Sequence, residues 1–197
     1  MFRRYLCILA AVGLAAAGGP VHAANPQVEL NTTAGKIRIE LYPDAAPKTV
    51  ENFLAYVKAK HYDGTQFHRV INGFMIQGGG YDNEFKERPT NAPVVNEAEQ
   101  SSKAGLLNVP GSVAMARTPD PHSARSQFFI NVGDNKFLDF RDKTVQGYGY
   151  TVFGKVVDGM DVVNKIAKMP TAAGGPFAKD VPVEHVIITS ATVVAAP

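Results

Sequence analysis

The fold is decided by residues 67–80, which read Phe67-His68-Arg69-Val70-Ile71-Asn72-Gly73-Phe74-Met75-Ile76-Gln77-Gly78-Gly79-Gly80. Two β-rich runs stand on either side of Asn72-Gly73, so the stretch predicts a pair of short strands. Arg69 and Gln77 fall inside these runs, although such side chains are rarely buried without partners. Polar groups beside Phe74 and Met75 therefore indicate a site where hydrogen-bond donors border an apolar hollow.

The sequence around this stretch predicts a mainly-β domain with two helices. Residues 36–41 alternate apolar Ile37, Ile39 and Leu41 with charged side chains, the pattern of a half-buried strand, and residues 27–31 are expected to pair with it. Apolar spacing predicts a helix over about 47–59, opened by Pro47, and a second after Gly159. No regular alternation of strand and helix appears, so we expect an antiparallel sheet that is closed or folded on itself.

The remaining segments are short. Further strands are predicted at 66–71, 74–77, 112–116, 127–132, 151–157 and 183–194. Residues 81–105 and 170–182 are predicted to be long loops, the second rich in Pro and Gly. Since no repeat or linker separates these segments, we expect one domain over residues 24–197.

The first 23 residues have the pattern of a secretory signal peptide. Arg3 and Arg4 precede an apolar run at 5–17, and Val21-His22-Ala23 offers small residues to a signal peptidase. A membrane anchor is the competing interpretation, but the run is shorter than the roughly 20 residues that cross a bilayer. We expect cleavage before Ala24 and no stable membrane anchor.

Removing this segment changes the charge argument. Arg3 and Arg4 are its only charged residues, so 18 of the 20 Lys and Arg remain, against 18 Asp and Glu. A neutral domain gives no support for attraction to nucleic acid or anionic lipid. Cys7 is the only cysteine of the chain, so the domain itself offers no disulfide, thiol nucleophile or cysteine metal ligand.

Three later motifs follow residues 67–80 in order: Gly111-Ser112-Val113-Ala114-Met115-Ala116-Arg117, Ser126-Gln127-Phe128-Phe129-Ile130 and Phe153-Gly154-Lys155-Val156. Together, the four motifs resemble those of the cyclophilin family of peptidyl-prolyl cis-trans isomerases, most of all its bacterial periplasmic members. The resemblance runs from about Val28 to Ile188. It implies a closed eight-stranded antiparallel β-barrel capped by two α-helices, with a peptide groove on the outer surface.

The resemblance also implies the site residues. Arg69 matches the family's catalytic arginine, and Gln77 matches the glutamine beside it. The walls of the proline pocket match Phe74, Met75, Phe129 and Leu138. The rim that meets the substrate backbone matches Ala116, Arg117, Thr118 and Gln127. Two further contacts, where many eukaryotic members have tryptophan and histidine, match Phe137 and Tyr150.

The function implied is acceleration of X-Pro bond rotation, without metal or cofactor, by a periplasmic monomer that assists the folding of exported proteins. Its partners are expected to be proline-containing peptides and unfolded exported proteins. Phe137 lacks the indole N–H of tryptophan, so cyclosporin binding is expected to be weak.

Other interpretations stay open. A non-catalytic proline-peptide binding module or holdase chaperone would share the groove, although the presence of both Arg69 and Gln77 argues against it. A carbohydrate- or nucleic-acid-binding barrel is disfavoured by the neutral domain and the absence of tryptophan. Taken alone, Arg69 would be interpreted as a surface arginine in a salt bridge, and the apolar wall residues as core.

The histidines and glycines near Arg69 have ordinary interpretations too. His68 is interpreted as structural, because isomerisation transfers no proton. His61 and His68 have no third metal ligand near them in sequence. Gly78-Gly79-Gly80 is followed by neither a helix pattern nor Lys-Ser/Thr, so it predicts a tight backbone path rather than a phosphate-binding loop.

Overall fold

The structure is a computed structural model that describes residues 24–195. The predicted signal peptide, residues 1–23, lies outside the described residues. The strands are β1 Gln27–Thr32, β2 Gly35–Leu41, β3 Thr65–Gln66, β4 Arg69–Ile71, β5 Met75–Gly78, β6 Ser112–Met115, β7 Phe128–Asn131, β8 Val152–Asp158, β9 Thr171–Gly174, β10 Phe177–Pro182 and β11 Ile187–Val194. The helices are α1 Pro47–Lys58, α2 Ala98–Lys103 and α3 Met160–Ala167, with a 3₁₀ turn at Lys136–Leu138. Within the described residues, no helix is long and apolar enough to cross a bilayer.

Nine strands form one antiparallel sheet in the order β3-β11-β1-β2-β8-β6-β7-β5-β4, and β9 and β10 form a separate hairpin. The predicted pairing of residues 27–31 with 36–41 is confirmed, with Leu30 opposite Ile37. Inward-facing Leu30, Ile37 and Ile39 are fully buried and pack with Phe53 of α1 and Ile166 of α3 in the main core. This core fixes the sheet, and the strands β4 to β7 then present their other face to solvent and ligand.

The closed eight-stranded barrel is not confirmed. The sheet is a curled half-barrel of nine strands whose two edges, β3 and β4, are not hydrogen-bonded to each other. They are consecutive in sequence and belong to the single strand predicted at 66–71, which is interrupted at Phe67 and His68. Both side chains are buried, at 0% and 2% exposure.

Two predicted loops contain regular structure, and the described residues hold three α-helices instead of two. α2 lies within 81–105, but it spans six residues and buries only Ala98 and Ser101, which is too little apolar periodicity to signal a helix. The β9–β10 hairpin lies within 170–182. Its side chains are mostly exposed or half-buried, so no alternation marked it.

Helix α1 is capped by a residue far away in sequence. Ala46 precedes the helix and provides no side-chain cap, and its first turn carries no acidic residue. Glu97 supplies both functions: its carboxylate accepts hydrogen bonds from Lys48 N at 3.1 Å, Thr49 N at 2.8 Å and Thr49 Oγ1 at 2.7 Å. A buried carboxylate at a helix N-terminus satisfies free N–H groups and is favoured by the helix dipole.

Candidate active site

Strands β5 and β7 have two apolar faces, one packed in the main core and the other lining a groove. On β7, Phe128 and Ile130 point into the main core, while Phe129 belongs to a second apolar cluster. On β5, Ile76 and Met75 divide in the same way. The predicted wall residues therefore form a cluster of their own on the outer face of the sheet, rather than part of the core.

The second cluster lines a hollow of about 260 Å³. Its lining contains ten of the twelve predicted site residues: Arg69, Phe74, Met75, Gln77, Ala116, Arg117, Gln127, Phe129, Leu138 and Tyr150. Thr118 instead lines an adjoining hollow of about 450 Å³, which shares Gln77 and Gln127 with the first. The volume of the first hollow is below the roughly 300–1,000 Å³ of pockets for drug-sized ligands, so it suits a ring and its immediate neighbours.

Arg69 is held by a chain of amide side chains. Its Nη1 donates to Gln77 Oε1 at 3.3 Å, and Gln77 Nε2 donates to Gln127 Oε1 at 3.0 Å. β4 and β5 place Arg69 directly opposite Gln77 in register. Because each amide is oriented by the next, the guanidinium has a fixed direction at the edge of the hollow.

The charge of Arg69 is not neutralised by the protein. None of the salt bridges among residues 24–195 involves Arg69, and the side chain is half-buried. This argues against the surface salt bridge that the sequence left open. A guanidinium has five N–H donors, so several remain for a ligand in the hollow.

The rim opposite Arg69 is rigid. Arg117 Nε donates to the carbonyl of Gly149 at 3.0 Å, and its Nη1 donates to the carbonyls of Thr118 and Pro119. The guanidinium also lies 4.5 Å from the centre of the Tyr150 ring, a cation–π distance. Tyr150 in turn meets Phe129 edge-on at 5.7 Å, so the rim and the apolar wall support one another.

A buried polar network supports the other wall. Asn135 Nδ2 donates to the carbonyl of Phe74 at 2.9 Å and to Asn131 Oδ1 at 2.7 Å. Asn131 Nδ2 donates to Ser112 Oγ at 2.9 Å. Satisfied buried networks are rigid, and this one fixes Phe74 and the 3₁₀ turn that carries Phe137 and Leu138. No local pattern predicted this network, because its asparagines are distributed over loops and strand ends.

Phe137 is displaced from the hollow. It is 66% exposed and stacks on Phe74, with ring centres 5.8 Å apart. The structure therefore places this residue beside the wall at the groove mouth, where a longer ligand would meet it.

Glycines let the backbone pass close to this site, as predicted for residues 78–80. A Cβ on Gly78 would lie 2.9 Å from the carbonyl oxygen of Gln66, and Gly79 has a φ of +85°. A Cβ on Gly80 would lie 2.5 Å from the side chain of Gln127. Any larger residue would push Gln127 away from Gln77, so the glycines maintain the amide chain to Arg69.

His68 is an uncharged structural residue. It is 2% exposed and lies between Tyr81 and Phe177, with ring centres 4.8 and 5.1 Å away. Burial lowers the pKa of His68 to about 4, although a backbone hydrogen bond with Gln66 opposes this. His61 lies in a different aromatic cluster, with Tyr56 and Tyr62. Within residues 24–195, no three potential ligands are grouped to hold a metal ion.

Three lining residues were not among the predicted site residues. His68, Tyr81 and Phe177 complete the hollow on the far side of Arg69. Tyr81 and Phe177 fall in segments predicted to be loops, and only the pairing of the β9–β10 hairpin brings Phe177 to the groove.

The family model for cyclophilin-type peptidyl-prolyl cis-trans isomerases matches residues 27–193. The chain belongs to the cyclophilin family. This cyclophilin is 55% identical over 166 residues to the peptidyl-prolyl cis-trans isomerase cyp18 of Streptomyces antibioticus, a match that covers 84% of this chain and 97% of the relative. It is 45% identical over 196 residues to peptidyl-prolyl cis-trans isomerase A of Dickeya dadantii, covering 98% of this chain and 99% of the relative.

Solved structures agree with this assignment. A cyclophilin-type peptidyl-prolyl cis-trans isomerase of Cryptosporidium parvum, crystallised in the presence of the dipeptide Ala-Pro, matches with a TM-score of 0.67 and 26% identity. The match covers 86% of this chain and 99% of that one. The cyclophilin described here is accordingly an enzyme, a peptidyl-prolyl cis-trans isomerase.

Proposed function

We propose that the groove around Arg69 is the isomerase site and that this cyclophilin assists the folding of exported proteins. The observation that carries the first part is an unneutralised guanidinium, oriented by Gln77, at the edge of an apolar hollow. A proline ring suits the hollow formed by Met75, Phe129 and Leu138. The Ala-Pro dipeptide used with the Cryptosporidium relative has the chemistry of such a ligand.

The reaction needs no bond to break. Rotation about an amide is slow because the nitrogen lone pair gives the C–N bond double-bond character, with a barrier of about 18–20 kcal/mol. A donor that binds the prolyl nitrogen lone pair in the twisted state removes that resonance and lowers the barrier. Arg69 is the donor proposed here, because its guanidinium is always charged and its N–H groups are fixed in a fork.

Arg69 does not act alone. A rise in turnover from about 0.01 to about 1,000 per second requires roughly 7 kcal/mol, more than one charged hydrogen bond supplies. The remainder is assigned to positioning: the hollow holds the proline ring, and Gln127 with the Arg117 rim restrains the residue before it. Only the carbonyl end is then free to turn.

The role in exported proteins is supported by residues 1–23. The match to the Streptomyces relative covers 97% of that protein but only 84% of this chain. The match to the Dickeya relative covers 98% of this chain. This difference in coverage supports an N-terminal segment that is separable from the isomerase domain. Expressed in a bacterium with two membranes, the full chain is expected in the periplasmic fraction with Ala24 as its first residue, measured by fractionation and N-terminal sequencing.

The matched control for export is the same chain without residues 2–23, which is expected to remain in the cytoplasm. An intact N-terminus on protein recovered from the membrane would overturn the signal-peptide assignment in favour of an anchor.

Cyclosporin is expected to bind weakly to this groove. Phe137 offers an exposed ring but no N–H donor, so a polar contact to the drug is missing. Isothermal titration is expected to give a dissociation constant well above the nanomolar range, and Phe137→Trp is expected to tighten it. Nanomolar binding by the unaltered protein would contradict this expectation.

A further inference from the structure

A second aromatic surface lies beside Arg69, in the lining of the hollow that also contains the proposed proline walls. It is formed by His68, Tyr81 and Phe177, which we call the aromatic triad. Phe177 stacks on His68 at 5.1 Å and meets Tyr81 edge-on at 5.2 Å. All three residues line the same hollow as Arg69, and Tyr81 and Phe177 remain partly exposed there.

The hairpin that carries Phe177 is fixed in place by a second contact. Phe85 has a φ of +64°, unusual for a residue with a side chain. Its ring lies against Gly174 and Gly175, where a Cβ would come within 3.2 and 2.3 Å of it. The strained backbone at Phe85 and the two glycines that contact its ring indicate that the β9–β10 hairpin is packed tightly against Phe85. The aromatic triad is therefore a fixed part of the groove wall.

Strand order gives the direction in which a bound peptide would run. From the rim, the groove crosses β6, β7, β5 and β4 in succession, and β10 packs beside β4. With the residue before proline at Arg117 and Gln127, and the ring over β5 and β7, the residues after proline pass over Arg69 toward β10. β5 and β4 lie one strand spacing of about 4.8 Å apart, and β10 packs beyond β4 without being paired to it. A peptide that reaches from β5 to β10 therefore needs at least two extended residues, at about 3.3–3.6 Å each.

We propose that the aromatic triad is a specificity subsite, which accepts an apolar, preferably aromatic, side chain at the second position after the proline. This inference rests on the proposed location of the isomerase site. It adds a preference that the walls proposed for the proline ring, Met75, Phe129 and Leu138, do not provide, because they contact only the ring and its neighbours.

The charges around the triad favour a neutral or electron-rich occupant. His68 is kept uncharged by burial, with its pKa lowered to about 4, and Arg69 is the nearest cation in the groove lining. Glu87 lies on the other side of Tyr81, paired with it through a backbone bridge. An aromatic ring suits the stacked geometry of Phe177 and the cation of Arg69, whereas a carboxylate would approach Glu87.

The test compares isomerisation of Ala-Ala-Pro-Ala-Phe-Ala with that of Ala-Ala-Pro-Ala-Ala-Ala and Ala-Ala-Pro-Ala-Asp-Ala by NMR exchange, using the purified full chain. The kcat/KM for the Phe peptide is expected to exceed that for the Ala peptide by about fivefold, the size of one aromatic contact. Phe177→Ala is expected to reduce this ratio to near one. Phe177→Tyr is expected to retain it, since the ring remains.

The control is Val183→Ala, which removes another apolar side chain one residue beyond β10. Val183 is 65% exposed and does not line the groove, so its variant is expected to preserve the ratio. A ratio near one in the unaltered protein, or an equal loss toward all three peptides in Phe177→Ala, would overturn the subsite. Isomerisation of none of the peptides would instead contradict the proposed function, so the two failures are distinguishable.

Discussion

Replacing Arg69 by Ala is expected to reduce kcat/KM for a Pro-containing reporter peptide by about 100- to 1,000-fold, equal to about 3–4 kcal/mol of transition-state stabilisation. The reason is that Arg69 lines the hollow, has no acidic partner among the salt bridges of residues 24–195, and is held by Gln77 at 3.3 Å. The rate is measured by the cis-to-trans relaxation of the reporter, after circular dichroism shows that both proteins are folded.

Two further arginine variants sharpen this test. Arg69→Lys keeps the charge but loses the planar fork, so most of the loss is expected to persist. Arg141→Ala removes an arginine from an exposed loop, where its side chain donates a hydrogen bond to the carbonyl of Gln146, and is expected to leave the rate unchanged because Arg141 does not line the hollow. Activity of Arg69→Ala within threefold of the unaltered protein would assign the chemistry to another group. A folded, unaltered protein without any acceleration would favour the binding module or holdase.

Replacing Glu97 by Ala is expected to lower the free energy of unfolding by about 3 kcal/mol. The change removes three hydrogen bonds to a charged, buried group, and leaves Thr49, which is fully buried, without that acceptor. Charge-assisted hydrogen bonds contribute about 1.5–3 kcal/mol each and a helix cap about 0.5–2 kcal/mol, without simple additivity. Urea denaturation of both proteins measures the difference.

The control is Glu99, two residues further along the chain and within α2. Glu99 pairs with Lys103 at 2.8 Å and Lys143 at 3.2 Å on the surface, so Glu99→Ala is expected to leave the denaturation midpoint nearly unchanged. Glu97→Gln keeps an acceptor oxygen but loses the charge, so its denaturation midpoint is expected to lie between those of Glu97→Ala and Glu99→Ala. Equal midpoints for Glu97→Ala and Glu99→Ala would show that α1 does not depend on the distant cap.

The sequence predicted the parts of the fold in which local pattern and burial agree. Ile37, Ile39 and Leu41 alternate and point into the core, and Val50, Phe53 and Val57 repeat at helical spacing and pack against the sheet. The family resemblance placed ten predicted residues around one hollow. Their catalytic and binding roles remain predictions, because location alone does not establish them.

The parts that the sequence did not predict depend on contacts between distant residues. α1 is capped by Glu97, nearly fifty positions away, and no local rule connects the two. Phe177 reaches the groove only because Phe85 docks the β9–β10 hairpin beside β4. The break between β3 and β4 at Phe67 and His68 has no counterpart in the local pattern, which predicted one strand over 66–71.

The position of β1 has a consequence for how the molecule is made. β1 lies inside the sheet, with β2 on one side and β11 on the other, and Gln27 pairs with Val194. A chain that emerges from its N-terminus can form the β1–β2 hairpin at once, but β11 is the last strand to appear. Pairing between strands far apart in sequence is slow, because closing the long loop costs entropy before the strand contacts stabilise it. The sheet is therefore completed only after β11 has been released, and loss of β11 would leave β1 as an edge strand that is paired only with β2 and prone to aggregation.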